Sequence, residues 1–141
     1  GQLIFYRALL HCAKLWGKGP VAGEIIAGLE PPERSIQAID FLADCGAVAT
    51  VCVFRPCIGT DLENESPPDP EALAPVFARQ WEAVTERGIP VGIAPNIRTA
   101  MVHLQEESRW FSRKDSALLF RSKCAAMKPV FRTICAWKRK A

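Results

Sequence analysis

A chain of 141 residues with 49% hydrophobic and 23% charged positions has the composition of an ordinary folded protein, which excludes overall disorder, and its length suits one domain or part of a larger one. No apolar run approaches the roughly 18 to 20 residues that cross a bilayer, so a transmembrane reading fails. The net charge of +3 hides an asymmetry: residues 1–111 hold nine Lys/Arg against fourteen Asp/Glu, a net of −5, and residues 112–141 hold nine against one, a net of +8.

Gly1-Gln2-Leu3-Ile4-Phe5-Tyr6 enters an apolar helical pattern with no starting Met and without the basic region and cleavage site of a signal peptide, which leads us to expect an upstream part. Residues 3–16 set Leu9, Cys12, Ala13 and Trp16 at i, i+3, i+4 and i+7, the spacing of one helix face, and Gly17-Lys18-Gly19-Pro20 breaks that helix. Val21–Gly28 is a short apolar run between turn residues, as expected of a buried first strand. Pro31-Pro32-Glu33 opens a second helix with Ile36, Ile39 and Ala43 inward and Gly46 as its left-handed cap. Thr50–Phe54 is the second strand.

Asp69 is placed to cap a third helix with Pro70 at its first position, carrying Leu73, Val76, Phe77, Trp81 and Val84 at helical spacing and closing at Gly88. Ile89–Ala94 follows as a third strand, its Pro90 near the start where a missing ladder donor is tolerated. Alternating strands and helices predict parallel strands joined by right-handed crossovers, in an α/β barrel or a doubly wound sheet. Three such units are less than half of a complete barrel. From Arg113 onward Phe120, Cys124, Met127, Phe131 and Ile134 recur in steps of four and three, giving a basic amphipathic helix that Pro129 should kink or divide. The expectation for this tail is a helix packed on the barrel with a solvated charged face; contact with a membrane surface is the sharper alternative, and nucleic acid is not the expected partner.

In parallel α/β structures, sites form where loops converge at the carboxyl ends of the strands. The three predicted strands end in Gly28-Leu29-Glu30, Arg55-Pro56 and Pro95-Asn96. Gly28 admits a close backbone approach, and Glu30 offers a carboxylate to a ribose or an amine, or else faces water beyond a tight turn. Arg55 suits bidentate contact with a carboxylate or phosphate, or a structural bridge to Glu30 or Asp61. Gly59-Thr60 turns toward a ligand or shapes a loop, and Asn96 offers a donor and an acceptor on the substrate side or forms a turn. His11 and His103 lack a metal-ligand pattern, and no GxSxG, Walker loop, HExxH or GxGxxG occurs, which removes hydrolase, P-loop and dehydrogenase readings. The six cysteines, Cys12, Cys45, Cys52, Cys57, Cys124 and Cys135, include no CxxC pair and no CxxxCxxC, and read as buried free thiols.

Gly23-Glu24-Ile25-Ile26-Ala27-Gly28-Leu29-Glu30 resembles the GxIxGxxE segment of radical S-adenosylmethionine (SAM) enzymes, with Gly23, Ile25 and Glu30 matching and Gly28 one step beyond the middle glycine, where Ala27 stands. Phe54-Arg55-Pro56-Cys57-Ile58-Gly59-Thr60 is similar to a strand-end segment of the biotin synthase-like branch, and Gly88–Asn96 to its next strand. The resemblance covers residues 1–110. It implies a partial TIM-type barrel over residues 1–111, followed by the basic helical tail 112–141. It also implies SAM as cosubstrate and a [4Fe–4S] cluster that cleaves SAM to a 5′-deoxyadenosyl radical, which abstracts hydrogen from a small-molecule substrate of unknown identity. By resemblance Gly23, Ile25, Gly28 and Glu30 contact SAM, while Arg55, Gly59 and Thr60 line the site.

The three family cysteines are not in this sequence, so the chain alone is expected to be inactive without a missing N-terminal half that would be its partner. The leading expectation is therefore the C-terminal part of a cytoplasmic radical SAM enzyme. Its rivals are a non-catalytic α/β module that binds a small ligand or partner and docks through the basic tail, and a structural remnant that binds nothing.

Overall fold

In the computed structural model, which describes residues 1–92, 102–113 and 118–138, the order is α1 (Gln2–Trp16), β1 (Ala22–Ala27), α2 (Pro32–Asp44), β2 (Val48–Val53) and α3 (Pro70–Glu86). A two-residue strand β3 (Val102–His103), one helical turn α4 (Gln105–Ser108), a 3₁₀ turn Arg109–Phe111 and α5 (Leu118–Lys138) follow.

Local chemistry sets the ends of α2 and α3. Both begin with proline at the first helical positions, and at α3 the Asp69 carboxylate accepts the Glu71 N–H at 3.0 Å. Both finish in the same glycine motif. Gly46 (φ +82°) lets Ala47 N–H reach the Leu42 carbonyl and Gly46 N–H that of Ala43, each at 2.9 Å. Gly88 (φ +62°) repeats this, with Ile89 N–H on Val84 O at 2.9 Å and Gly88 N–H on Thr85 O at 3.3 Å. The motif turns the chain back toward the sheet, so Ala47 and Ile89 both enter the interior fully buried.

β1 and β2 pair in parallel from Ala22↔Val48 to Ala27↔Val53, and α2 makes the crossover, which gives one complete βαβ unit. The expectation of a third parallel strand at Ile89–Ala94 is corrected over its described part. Ile89 and Val91 are buried, but residues 89–92 belong to no strand, while Ile93 and Ala94 lie outside the described residues. The other edge of β2 is taken instead by β3, which runs antiparallel with Val51↔His103 and Cys52↔Val102. Beside it, the Ala49 carbonyl, which a parallel neighbour would bond, accepts from the side-chain amides of Gln80 and Gln105. Among the described residues the sheet is therefore mixed, in the order β1-β2-β3, and the protein is α/β with a partly parallel sheet.

In the core between sheet and helices Ala27, Ala43, Ala47, Ala49 and Ala83 pack among larger side chains that include Ile39, Leu42, Val51, Val76, Trp81 and Val84. All five apolar residues expected on the inner face of α3 are buried, as are Ile39 and Ala43 of α2. On the outer side, Arg79 and Arg87 of the α3 end both hold Asp40 of α2, through Nε of Arg79 at 2.9 Å and Nη2 of Arg87 at 3.1 Å, and Arg87 also donates to Asp44 at 2.7 Å. Partial burial works to raise the Asp40 carboxyl, but hydrogen bonds and charge from Arg79 and Arg87 outweigh it and hold the group below its ordinary value.

Two helices depart from expectation. On α1 Leu9 is buried and Cys12 and Ala13 half-buried, but Trp16 is exposed, because Gly17 ends the helix before that turn reaches the sheet. Tyr6 packs its ring against Phe41 of α2 at 4.7 Å. α5 runs through Pro129 without division. The missing proline N–H frees the carbonyl of Ala125, an exposed residue, so water can satisfy it. Only the start of α5 is packed: Phe120 meets the Trp81 ring edge-on at 5.7 Å and Cys124 is buried, whereas Met127, Phe131 and Ile134 are exposed. The expected helix packed on the body along its length is thus corrected to one anchored at its first turns.

Candidate functional site

Because β1 and β2 are parallel and in register, the residues after Ala27 and after Val53 emerge at the same edge of the sheet. Phe54 N–H extends the ladder by bonding the Ala27 carbonyl at 2.8 Å, and the two candidate loops start side by side from there. The side chains of Glu30 and Arg55 are both exposed at this edge, with no ion pair or hydrogen bond to another described residue, while the Arg55 carbonyl accepts from the Cys57 thiol at 3.5 Å. The alternative of a structural bridge from Arg55 to Glu30 or Asp61 is accordingly absent among the described residues.

The nominated glycines have packing duties. A side chain at Gly23 would lie 2.7 Å from a Leu42 methyl, so this glycine seats α2 against β1. At Gly28, with φ +99°, a Cβ would come within 2.5 Å of the Pro68 ring. The close approach that Gly28 permits is therefore used by Pro68, which brings the 54–69 loop across the end of β1. Ile25 is half-buried against the core. Gly59 and Thr60 shape their own loop: Gly59 N–H donates to Glu63 Oε2 at 2.7 Å, and the Thr60 hydroxyl to the Cys57 carbonyl at 2.8 Å. Asn96 lies outside the described residues.

The five cysteines whose side chains are described are free but not uniformly buried. Cys124 is buried, Cys12, Cys45 and Cys52 are half-buried, and Cys57 is exposed on the loop after β2, where turn geometry removes it from the core. No group of three His, Cys, Asp or Glu suited to a metal occurs among the described residues. The donor set found there does not fit a [4Fe–4S] cluster.

A second polar cluster, unforeseen from sequence, lies under β3. Gln80 is fully buried and its amide donates to the Ala49 carbonyl at 2.7 Å and the His103 carbonyl at 2.8 Å, while its oxygen accepts the Ser108 hydroxyl. His103 packs tilted against Phe77 (4.5 Å) and edge-on to Phe111 (6.1 Å), and the two phenyl rings also touch (5.1 Å). Ser108, His103 and Glu107 are near neighbours, but both Ser108 Oγ (3.4 Å) and the Glu107 carboxylate (3.9 Å) face the same ring nitrogen, Nδ1. A nucleophilic triad needs them on opposite nitrogens, and Ser108 has no solvent access. The cluster is a satisfied structural network.

Where α5 leaves the body there is a half-open cavity of about 190 Å³ with Trp81, Val91 and Phe120 among its walls, and Arg109, Arg121 and Lys128 beside Glu106 at its rim. None of the strand-end residues contributes to it. Its sequence signal was the i, i+7 spacing of Arg121 and Lys128.

Compared with known proteins, the chain matches no family model, no curated protein and no solved structure.

Proposed function

We propose that this chain supplies the SAM-positioning part of a radical SAM enzyme, as its C-terminal portion. The observation that carries the proposal is the pair of strand ends: a parallel βαβ unit delivers the carboxylate of Glu30 and the guanidinium of Arg55 to one edge of the sheet, both exposed and without partners among the described residues. SAM carries a ribose, an amine and a carboxylate. Glu30 is suited to the ribose hydroxyls or the amine, and Arg55 to bidentate contact with the carboxylate. Gly23 and Gly28 serve indirectly, by seating α2 and the 54–69 loop that frame this edge. A barrel completed by further strands and a cluster held by cysteines that are not in this chain both belong to the proposal, and hydrogen abstraction from a substrate is the chemistry that cluster and SAM would supply together.

Equilibrium dialysis of the folded chain with labelled SAM tests the reading. Loss of one charge-assisted contact is expected to weaken binding about tenfold or more in Glu30→Ala and Arg55→Ala. Neutralising Lys138, Arg139 and Lys140 should leave it unchanged. Equal SAM affinity in all variants, or no binding by the folded protein, defeats the proposal.

A further inference from the structure

Beyond the packed turns of α5, the helix has a pattern that the body does not use. Leu119, Met127, Val130 and Ile134 lie within one apolar sector with Lys123 among them, and Arg121, Lys128 and Arg132 recur at i, i+7 and i+11 on the opposite face. Val130 is 60% exposed, Ile134 47% and Trp137 70%, so about two turns present an apolar stripe that no described residue covers. The helix holds five Lys/Arg and no Asp or Glu, in a protein whose first 111 residues are net negative. What covers the stripe is therefore apolar, admits Lys123 within it and meets a helix that carries positive charge only.

We infer that α5 docks on an anionic phospholipid surface, lying in the plane of the headgroups with its apolar sector against the acyl boundary. Three observations favour this occupant. A nucleic acid would neutralise the cations but leave Val130, Ile134 and Trp137 in water. A protein groove would cover those side chains but also enclose Lys123, which lies in the same row as Leu119 and Met127; at a lipid interface its long stem follows the apolar surface and its ammonium reaches the headgroups. Finally, Arg109, Arg121 and Lys128 stand without ion-pair partners among the described residues and outnumber Glu106 around the 190 Å³ cavity at the root of the helix, so the side of α5 away from the stripe adds uncompensated positive charge next to the surface. No helix among the described residues is long and apolar enough to cross a membrane, so the contact is peripheral. The inference uses none of the residues proposed to position SAM and stands apart from that reading.

Co-sedimentation of the full chain with vesicles tests it, comparing phosphatidylcholine alone with phosphatidylcholine containing phosphatidylglycerol. The expected partition is about tenfold or more higher on the anionic vesicles, with a blue shift of tryptophan emission that Trp137→Phe reduces. Lys128→Glu with Arg132→Glu should lower partition about tenfold, and Val130→Glu with Ile134→Glu should lower it on both vesicle types. All four positions are exposed, and an unchanged far-UV circular dichroism spectrum verifies that the variants fold. Equal partition on neutral and anionic vesicles overturns the inference. So does duplex RNA or polyglutamate binding with no vesicle partition, or wild-type partition by the charge-reversed variant.

Discussion

Replacing Gln80 by leucine keeps the approximate volume at a fully buried site but removes the amide that serves two strands. The Ala49 carbonyl retains Gln105 as a donor, whereas the His103 carbonyl loses the Gln80 amide and the Ser108 hydroxyl loses its close acceptor. An unsatisfied buried group costs about 1–3 kcal/mol, so two of them, less a small gain from added apolar burial, come to about 3 kcal/mol. For a protein near this size that corresponds to a fall in melting temperature of about 6–12 °C. Urea unfolding followed by circular dichroism measures it, and a double-mutant cycle with Ser108→Ala should give a coupling of about 1 kcal/mol or more, because both changes break one hydrogen bond. A Gln80→Leu protein within about 0.5 kcal/mol of wild type would show that the amide does not join β2 to β3, and strict additivity with Ser108→Ala that its oxygen does not hold the Ser108 hydroxyl.

Asp40→Asn should destabilise the protein at neutral pH by about 1 kcal/mol, a value kept low because Asp40 is 32% exposed and solvent screens the pair. Asp40 titrates below its ordinary value when folded, so its contribution is present above the unfolded pKa of about 3.9 and disappears as pH falls through the folded value. Wild type and variant should therefore converge in strong acid, and a gap that persists there contradicts the ion-pair account. Gly28→Ala should cost about 1–2 kcal/mol for the positive φ and more for the clash with Pro68, whereas Gly59→Ala, at φ +83° with open space around it, should cost only the backbone part. Thermal unfolding compares the two, and equal losses would mean that Pro68 does not sit on Gly28.

What could be read from sequence divides by the range of the interactions involved. Helix starts and stops were legible because they are local: Asp69-Pro70 at the head of α3 and the glycines Gly46 and Gly88 at the ends carry their reasons within a few residues. The faces of α2 and α3 were legible because periodicity reports burial there. The fate of residues 89–92 was not, since Ile89 and Val91 are apolar in a strand or in a buried loop, and the choice depends on Gln80 and Gln105 occupying the edge of β2 from distant sequence. Trp16 failed for a related reason, because a helical stripe says which side chains align and not where the body ends. At the strand ends the positions of Glu30 and Arg55 followed from the parallel topology. The duties of Gly23 and Gly28 toward Leu42 and Pro68 are contacts between separate segments that no spacing reveals.

The alanines placed among the larger side chains of the interior constrain how this sequence can change over generations. At Ala27, Ala47, Ala49 and Ala83 the smaller choice is glycine, which loosens the backbone, and every larger choice pushes a helix away from the sheet. Neutral drift is thereby directed outward, to the exposed sides of α1, the 57–66 loop and the far turns of α5. The frame that holds the two strand ends can stay nearly invariant while the surfaces around it acquire new chemistry.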